Sequence, residues 1–281
     1  MSTPPFVDQR APRTWILLNS LGVFDMIEGL KDKVVIVTGG GHGIGKAYCL
    51  EFGRAGACVV VADIDKAAAQ QVAAQVTGDT EAQALALQVD VADETATQAM
   101  AAATLGRFSR IDVLVNNAAV FATIPMNRGL IETITAEEWD RLMAVNLKGL
   151  FYCCRAVLPT MRAQKSGKII NIASGTVFNG SPGRIHYVTS KAGTIGFSRT
   201  LAREAGDDNI QVNVLAPGNT LSEENPTEEM LRFRQSSIGS RALRRVQVPK
   251  DVVGAVLFLA SPLSDFITGQ TINVDGGIAF L

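Results

Sequence analysis

Tyr187 and Lys191 are the two side chains whose types and spacing most directly indicate chemistry. Four residues apart, they lie on the same face of a helix, one turn from each other. An ammonium group beside a phenol favours the phenolate, so Lys191 is expected to lower the tyrosine pKa from its usual value of about 10. Tyr187 then suits proton transfer near neutral pH. A solvated helix face is the alternative interpretation of this pair.

The position of Ser174 favours the catalytic interpretation. Ser174 follows the strand-like segment 168–172, and Tyr187 stands at the start of the next predicted helix, which puts both hydroxyl groups on one side of a sheet. Ligands bind beyond the carboxyl ends of the strands in open parallel sheets. The sequence therefore predicts that Ser174, Tyr187 and Lys191 meet at one site.

A glycine-rich segment, Thr38–Gly45, joins a predicted strand to a predicted helix. Glycines at such a turn let the backbone N–H groups approach a pyrophosphate at the start of the helix. Asp63 ends the next predicted strand, 18 residues after Gly45, near the spacing of a ribose-binding carboxylate. Glycines also form plain turns, but this context favours a dinucleotide site. The residues assigned to it are Gly39, Gly41, His42, Gly43, Ile44, Gly45, Asp63 and Ile64.

The elements that must position these residues alternate along the chain. Strand-like apolar runs cover 34–37, 58–61, 84–89, 111–115, 168–172, 211–215 and 270–274. Helical patterns cover a segment that starts near 44, then 65–76, 93–107, 135–162, 187–205, 227–236 and 249–260. Such alternation predicts an α/β fold, with one doubly wound, Rossmann-type parallel sheet of about seven strands flanked by helices.

Two regions are expected in the 281-residue chain. Residues 26–281 form a single catalytic, NAD-binding domain of ordinary size. Residues 1–25 form an N-terminal extension that lacks the basic start, long apolar centre and cleavage site of a secretory signal. Because the first predicted strand starts near Val34, the extension is expected to be dispensable.

Composition excludes several classes of function. A formal net charge of −1 gives no reason to expect nucleic acid as a partner. No apolar run reaches the roughly 18–20 residues of a membrane-spanning helix, so no membrane partner is expected. Two histidines, His42 and His186, make a zinc site improbable, and no metal is expected. The cysteines are interpreted as reduced core thiols of a cytoplasmic protein: Cys49, Cys58, Cys153 and Cys154.

Several motifs together resemble those of the classical short-chain dehydrogenases, over residues 28–281. Ser174 precedes Tyr187 by 13 residues, as the serine of that family does. The matching segments are Thr38–Gly45, Asn116–Ala119, Val145–Leu147 with Asn146, Tyr187 with Lys191, Pro217–Gly218 and Asp275–Gly277. Segments 248–251 and 266–270 are similar to bacterial dehydrogenases that act on 1-phenylethanol-like alcohols and on cyclic diols.

The resemblance implies a role for each catalytic residue. Tyr187 exchanges a proton with the substrate oxygen, and Ser174 hydrogen-bonds the same oxygen. Lys191 holds the nicotinamide ribose, and Asn146 links Lys191 to solvent through a bound water. The other cofactor contacts that it implies, besides Tyr187 and Lys191, are Asp90, Val91, Asn117, Ala118, Ala119, Pro217, Gly218 and Thr220.

Two positions depart from the family pattern. Ala119 replaces a usual glycine, and Ser222 stands where the family often has the threonine that touches the nicotinamide carboxamide. Thr220 lies two residues earlier, so either hydroxyl fits that task. The family also implies a homotetramer, with helices 135–162 and 187–205 paired across one two-fold axis and the last strand and its tail across another.

Asp63 and His42 predict NAD as the cofactor. A carboxylate at position 63 accepts hydrogen bonds from ribose hydroxyls and repels a 2′-phosphate. His42 stands where relatives that use the phosphorylated cofactor commonly carry a cation, and it is mostly neutral at pH 7. Lys66, one turn into the next helix, is the counterargument.

Three segments are expected to frame the substrate: 120–126, 176–180 and 219–245. Their apolar residues predict a small apolar secondary alcohol or ketone, aromatic or alicyclic, although core packing explains such residues equally well. The third segment carries a group of arginines that form either a solvated basic face or a docking place for a carboxylate or an acyl-carrier phosphate: Arg232, Arg234, Arg241, Arg244 and Arg245.

The leading interpretation is an NAD-dependent enzyme that interconverts a secondary alcohol and a ketone. A carrier-linked 3-oxoacyl reductase that uses NADPH is the first alternative, and Asp63 argues against its cofactor. A dinucleotide-sensing scaffold without catalysis is the second alternative. A scaffold of that kind has no need of Asn146, Ser174, Tyr187 and Lys191 together.

Overall fold

The computed structural model describes residues 29–121 and 126–280 of the chain. Seven strands form one sheet in which every neighbouring pair is parallel. They are β1 (Val34–Thr38), β2 (Cys58–Asp63), β3 (Ala84–Gln88), β4 (Val113–Asn116), β5 (Gly167–Ile172), β6 (Ile210–Pro217) and β7 (Thr271–Val274). Their order is β3-β2-β1-β4-β5-β6-β7, which confirms the doubly wound, Rossmann-type fold.

The helices follow the predicted alternation. They are α1 (Gly43–Arg54), α2 (Lys66–Asp79), α3 (Glu94–Phe108), α4 (Ala136–Met143), α5 (Gly149–Gln164), α6 (Thr176–Asn179), α7 (Ile185–Ala205), α8 (Glu228–Gln235) and α9 (Lys250–Ala260). Side-chain caps fix the starts of α2 and α3, because Asp65 accepts a hydrogen bond from the N–H of Ala68 and Asp93 accepts one from Thr95. The predicted boundaries of these two helices, 65–76 and 93–107, differ from the observed ones by at most three residues.

Helices cover both faces of the sheet, as strands that are apolar on both sides require. On one face α1, α2 and α9 pack against the central strands through fully buried residues such as Phe52, Val72 and Val256. On the other face α3, α5 and α7 pack through residues such as Met100, Val157 and Leu201. The carboxyl ends of the strands stay free of helix packing and form the edge where a ligand binds.

The predicted continuous helix over 135–162 is interrupted. Ala144–Lys148 adopts a π-helical turn between α4 and α5, with Asn146 buried inside it. The side-chain oxygen of Asn146 accepts a hydrogen bond from the backbone N–H of Val120 at 2.8 Å. Apolar periodicity continues through the turn, so the sequence pattern does not reveal it.

The helical segment Ala136–Gln164 is long and apolar enough to cross a membrane by length and composition alone, yet α5 packs against α3 and the sheet. The four cysteines are free thiols. Residues 29–121 and 126–280 hold no group of three or more His, Cys, Asp or Glu side chains suited to a metal ion. The predicted extension, residues 1–25, lies outside the described residues.

Candidate active site

A cleft of about 640 Å³ opens at the carboxyl edge of the sheet. It crosses the point between β1 and β4 where the strand order reverses, which is the usual ligand position in this architecture. The glycine turn after β1 lines one end of the cleft, and Ser174, Tyr187 and Lys191 line the other. The structure therefore brings the two predicted constellations together in one continuous space.

The glycine turn has a shape that only glycine permits at two positions. A Cβ atom at Gly45 would lie 2.0 Å from the carbonyl oxygen of Gly39, which is far inside contact distance. Gly39 itself has φ of +63°, in the left-handed region that favours glycine. The turn is thus built for close backbone approach, with the start of α1 directed at the cleft.

Asp63 is held by two backbone N–H groups. Its Oδ2 accepts a hydrogen bond from Gly41 at 2.8 Å, and its Oδ1 accepts one from Asp65 at 3.0 Å. A carboxylate offers about four acceptor positions, so the group retains capacity for ribose hydroxyls. The N–H of Gly41 is engaged by Asp63, and Gly41 does not line the cleft; it supports the carboxylate that does.

Asn117 fastens the end of β4 to the glycine turn. Its side-chain nitrogen donates to the carbonyl oxygens of Thr38 and Gly39, at 3.1 and 3.0 Å. The Thr38 hydroxyl accepts from the backbone N–H groups of Asn117 and Ala118. Asn117 therefore has a structural task at the cleft wall, besides the cofactor contact that the resemblance implies.

The other predicted cofactor residues also line the cleft. They are His42, Gly43, Ile44, Ile64, Asp90, Val91, Ala118, Ala119, Pro217, Gly218 and Thr220. The Thr220 hydroxyl donates to the carbonyl of Gly218 at 3.0 Å, and Ser222 approaches Gly43 across the cleft, so both hydroxyls remain candidates for the carboxamide contact. The volume, the glycine turn and the presented carboxylate together fit a nicotinamide dinucleotide.

Tyr187, Ser174 and Lys191 converge from β5 and α7. All three are buried, and Ser174 lies close enough to Tyr187 to lower the pKa of its hydroxyl. The Lys191 ammonium donates to the carbonyl oxygen of Ile172 at 2.8 Å and lies 5.9 Å from the centroid of the Tyr187 ring. Ser174 also accepts a hydrogen bond from the Thr176 hydroxyl at 2.9 Å, which fixes its orientation.

The pKa of Tyr187 is shifted in the direction opposite to the predicted one. Burial raises the pKa of Tyr187 above its usual value, and the hydrogen bond from Ser174 and the charges of Arg184 and Arg234 only partly offset this. The lowering expected from Lys191 is therefore wrong for this structure, because the desolvation of a phenolate dominates. Burial also lowers the pKa of Lys191 itself to about 8.

Asn146 stands beside a second, small cavity next to Lys191. Its side-chain nitrogen donates to the Ser190 hydroxyl at 3.2 Å, while its oxygen holds Val120. The cavity measures about 10 Å³ and touches both Asn146 and Lys191. Such a volume is close to the minimum for one water molecule, so the position suits the relay that the resemblance implies.

At the substrate end of the cleft, Phe121 and Phe233 belong to predicted substrate segments, whereas Arg184 was not predicted. Phe121 packs against the Tyr187 ring with centroids 4.9 Å apart, and Phe233 from α8 faces it. Arg184, which caps the start of α7, places its guanidinium carbon 5.8 Å from the Phe121 centroid and 5.0 Å from the Phe233 centroid. The only signal for Arg184 in the sequence is its position three residues before Tyr187.

The predicted arginine group divides into three kinds of residue. Arg234 is buried and paired with Glu223, and Arg241 is buried and donates to backbone carbonyls, including that of Asp275 at 3.0 Å. Arg245 pairs with Asp251 on the surface. Arg232 and Arg244 are exposed. A uniform basic face is therefore absent from these five positions.

Only some residues of the predicted substrate segments line the cleft. Residues 122–125 of segment 120–126 lie outside the described residues. In segment 176–180, Thr176, Asn179 and Gly180 line the cleft, while Val177 and Phe178 pack into a small core cluster around Ile195. Core packing is thus the correct interpretation for those two side chains.

Comparison with known proteins agrees with this geometry. The profile of the family described as short chain dehydrogenase matches residues 33–230. The chain belongs to the short-chain dehydrogenase family. A 3-oxoacyl-[acyl-carrier-protein] reductase of Thermotoga maritima is 37% identical to this short-chain dehydrogenase over 256 residues, 89% of this chain and 98% of that protein.

Two further relatives of this short-chain dehydrogenase differ in the substrates that their names give. A probable galactose dehydrogenase of Rhizobium meliloti is 37% identical, over 89% of this chain and 96% of its own length. The crystal structure of a 3-ketoacyl-(acyl-carrier-protein) reductase from Brucella melitensis complexed with NADH has a TM-score of 0.80 and 31% identity, covering 90% of this chain and 100% of that chain. The family prediction is confirmed. The relatives do not support the narrower prediction of a likeness to phenylethanol-type and cyclic-diol dehydrogenases, because they are mainly 3-oxoacyl reductases.

Proposed function

We propose that this short-chain dehydrogenase interconverts a 3-oxoacyl group and the corresponding 3-hydroxyacyl group with NAD(H). The reductases of Thermotoga maritima and Brucella melitensis support a 3-oxo substrate, since this chain aligns with nearly the whole length of each. The observation that carries the reaction type is the convergence of Ser174, Tyr187 and Lys191 at one end of a dinucleotide-sized cleft. This choice replaces the broader secondary-alcohol interpretation, of which it is a special case.

The residues of the chain divide the work of the reaction. When bound, a nicotinamide dinucleotide supplies or accepts the hydride at the substrate carbon. During reduction, the Tyr187 O–H bond breaks and a new O–H bond forms on the substrate oxygen, while the Ser174 hydroxyl donates to that oxygen and stabilises its developing charge. Tyr187 regains its proton from solvent by way of Lys191 and the cavity beside Asn146.

The NAD preference rests on Asp63. The carboxylate is buried at the cleft wall and oriented by the N–H groups of Gly41 and Asp65. A 2′-phosphate would set negative charge against this fixed carboxylate. The closest basic group at the glycine turn, His42, lies 4.0 Å from Asp63 and is half exposed. These features support NAD(H) over its phosphorylated form.

A second candidate is a dehydrogenase for a ring-shaped secondary alcohol. The relative from Rhizobium meliloti, a probable galactose dehydrogenase, is as similar to this chain as the Thermotoga reductase is. Phe121 and Phe233 supply apolar walls on which a ring could pack.

A substrate panel separates the two candidates. Oxidation or reduction is followed by nicotinamide absorbance, with 3-oxobutanoyl and 3-oxohexanoyl thioesters, aromatic ketones, alicyclic ketones and galactose, each with both cofactors. The proposal expects the highest kcat/KM for a 3-oxoacyl compound with NADH. A higher kcat/KM for an alicyclic or sugar substrate would favour the second candidate. No change in nicotinamide absorbance with any substrate of the panel would favour a scaffold without catalysis.

A further inference from the structure

Arg184 is a cation in the substrate end of the cleft whose charge no carboxylate among the described residues pairs with. The residue is 8% exposed and lines the cleft with Tyr187. No hydrogen bond or ion pair joins its guanidinium to any residue within 29–121 or 126–280. Its guanidinium nitrogens are not among the fully buried polar atoms of the described residues, so they reach the cleft, where an entering anion can pair with them.

The neighbouring charges increase this imbalance. The guanidinium carbons of Arg128, Arg184 and Arg234 lie 5.2, 5.0 and 5.4 Å from the Phe233 ring centroid. Glu223 is the carboxylate among the described residues that faces this group, and its oxygens are bound by Arg234. The cluster therefore holds three positive charges against one negative charge, and the pKa of Arg184 is lowered by burial and by its arginine neighbours.

Arg234 and Arg184 differ in how many of their guanidinium N–H groups already donate a hydrogen bond. Arg234 is fully engaged, with Nε and Nη2 on Glu223 and Nη1 on Asn219 at 2.6 Å. The Arg184 guanidinium lies over the rings of Phe121 and Phe233, and its N–H groups donate to no acceptor among the described residues. A guanidinium in this setting is suited to bind a carboxylate through two parallel hydrogen bonds.

The backbone places Arg184 close to the reacting centre. It is the N-cap of α7, and its carbonyl oxygen accepts the hydrogen bond from Val188 at 2.9 Å that begins the helix. Tyr187 follows three residues later, and both side chains contact the same Phe121 ring. An anion bound by Arg184 thus lies at the same end of the cleft as Tyr187.

We propose that Arg184 binds the carboxylate of a short oxo or hydroxy acid, so that the preferred substrate is the free acid rather than a carrier thioester. This inference rests on the proposed function, because it assumes hydride transfer opposite Tyr187. The carboxylate completes the charge balance of the arginine cluster. Phe121 and Phe233 hold the guanidinium plane and exclude water from the ion pair.

The test compares three probes that share one reacting centre: 3-hydroxybutanoate, its methyl ester and its N-acetylcysteamine thioester, each with NAD⁺. The unmutated enzyme is expected to oxidise the free acid with at least a tenfold higher kcat/KM than either neutral probe. Arg184→Met should lower kcat/KM for the acid by about ten- to a hundredfold and leave the ester within about threefold, as loss of charge-assisted hydrogen bonds predicts. Arg184→Lys should recover part of the loss.

A matched control removes a cation from the same region outside the cleft. Arg232 is exposed on α8 and pairs with Glu228 one turn away. Arg232→Met should leave the acid-to-ester ratio unchanged. Calorimetric binding of butanoate and butanamide supplies a readout without turnover, and only butanoate should bind, in an Arg184-dependent manner.

The outcomes separate this inference from the proposed function. Equal or better turnover of the ester and thioester by the unmutated enzyme would overturn the carboxylate assignment while leaving the proposed function in place. An equal loss for all three probes in Arg184→Met would assign Arg184 a merely structural role. Absence of turnover for every probe with either cofactor, with butanoate still bound through Arg184, would instead contradict the proposed function.

Discussion

The backbone N–H of Gly41 donates a hydrogen bond of 2.8 Å to Oδ2 of Asp63. This bond joins the glycine turn after β1 to the carboxylate that ends β2, so the two proposed contact points for the pyrophosphate and the ribose form one unit. A Cβ atom at position 41 would lie 2.9 Å from the same oxygen. The absence of a side chain at Gly41 therefore lets Asp63 stand where a ribose hydroxyl can reach it.

Cofactor preference is expected to follow this unit. The unmutated enzyme should prefer NADH over NADPH by at least about tenfold in kcat/KM, which requires only ~1.4 kcal/mol. Replacement of Asp63 by serine together with His42→Arg should narrow or reverse the ratio, because it removes a negative charge and adds a positive one. Asp79→Ser, on the far end of α2, serves as the control for loss of a carboxylate. Equal efficiency with both cofactors in the unmutated enzyme would contradict the role of Asp63.

Gly45 should tolerate no side chain. A Cβ atom there would meet the Gly39 carbonyl oxygen at 2.0 Å, so Gly45→Ala must displace the turn or the start of α1. We expect cofactor binding, measured by fluorescence of NADH, to weaken by at least tenfold. Gly106→Ala provides the control, since a Cβ atom on that helical glycine meets nothing within 4 Å. Normal NADH affinity in Gly45→Ala would show that the turn adjusts at little cost.

The pH dependence should reflect the raised pKa of Tyr187. Because burial keeps the phenol protonated through neutral pH, reduction is expected to be nearly constant there and to fall in alkaline solution. Oxidation needs the phenolate and should rise with pH over the same alkaline range. An oxidation rate that reaches its plateau below pH 7 would contradict the raised value.

The sequence predicts the sheet and the cofactor half of the site well, for a physical reason. Runs such as Val34–Thr38 are buried on both faces, and Gly45 is required by a backbone contact with Gly39, six residues earlier. Such features depend on residues that lie close together in the sequence. They need no knowledge of distant packing.

The substrate half depends on contacts between distant segments, which explains what the sequence did not reveal. Arg184 gains its setting from Phe121, after β4, and from Phe233, on α8. The sign of the Tyr187 pKa shift depends on its burial, which no local pattern gives. The π-helical turn at Asn146 lies within an apolar pattern that also suits an ordinary helix.

A homotetramer remains a prediction, with support from an exposed apolar groove. The groove lies between α4, α5 and α7 and is lined by residues that include Met143, Leu147, Phe151 and Phe197. Phe151 is 39% exposed although it is a large apolar residue. Phe151→Glu should dissociate the assembly, as measured by light scattering, whereas Gln71→Glu on the exposed face of α2 should not. A monomer at micromolar concentration for the unmutated chain would contradict the assignment.

Tyr187 is the proposed proton donor of an NAD(H)-dependent reaction on a 3-oxo or 3-hydroxy group. Tyr187→Phe preserves the ring that packs on Phe121 but removes the only exchangeable proton of the side chain. Tyr152→Phe, on α5 beside Phe151, is the matched control.

The decisive measurement is the single-turnover rate of NADH oxidation with a 3-oxobutanoyl substrate at saturating concentrations of both. We expect Tyr187→Phe to lose about 10²–10⁴-fold in this rate while NADH still binds, and Tyr152→Phe to match the unmutated enzyme. A Tyr187→Phe enzyme that keeps a tenth or more of the unmutated rate would contradict the assignment of Tyr187 as the proton donor.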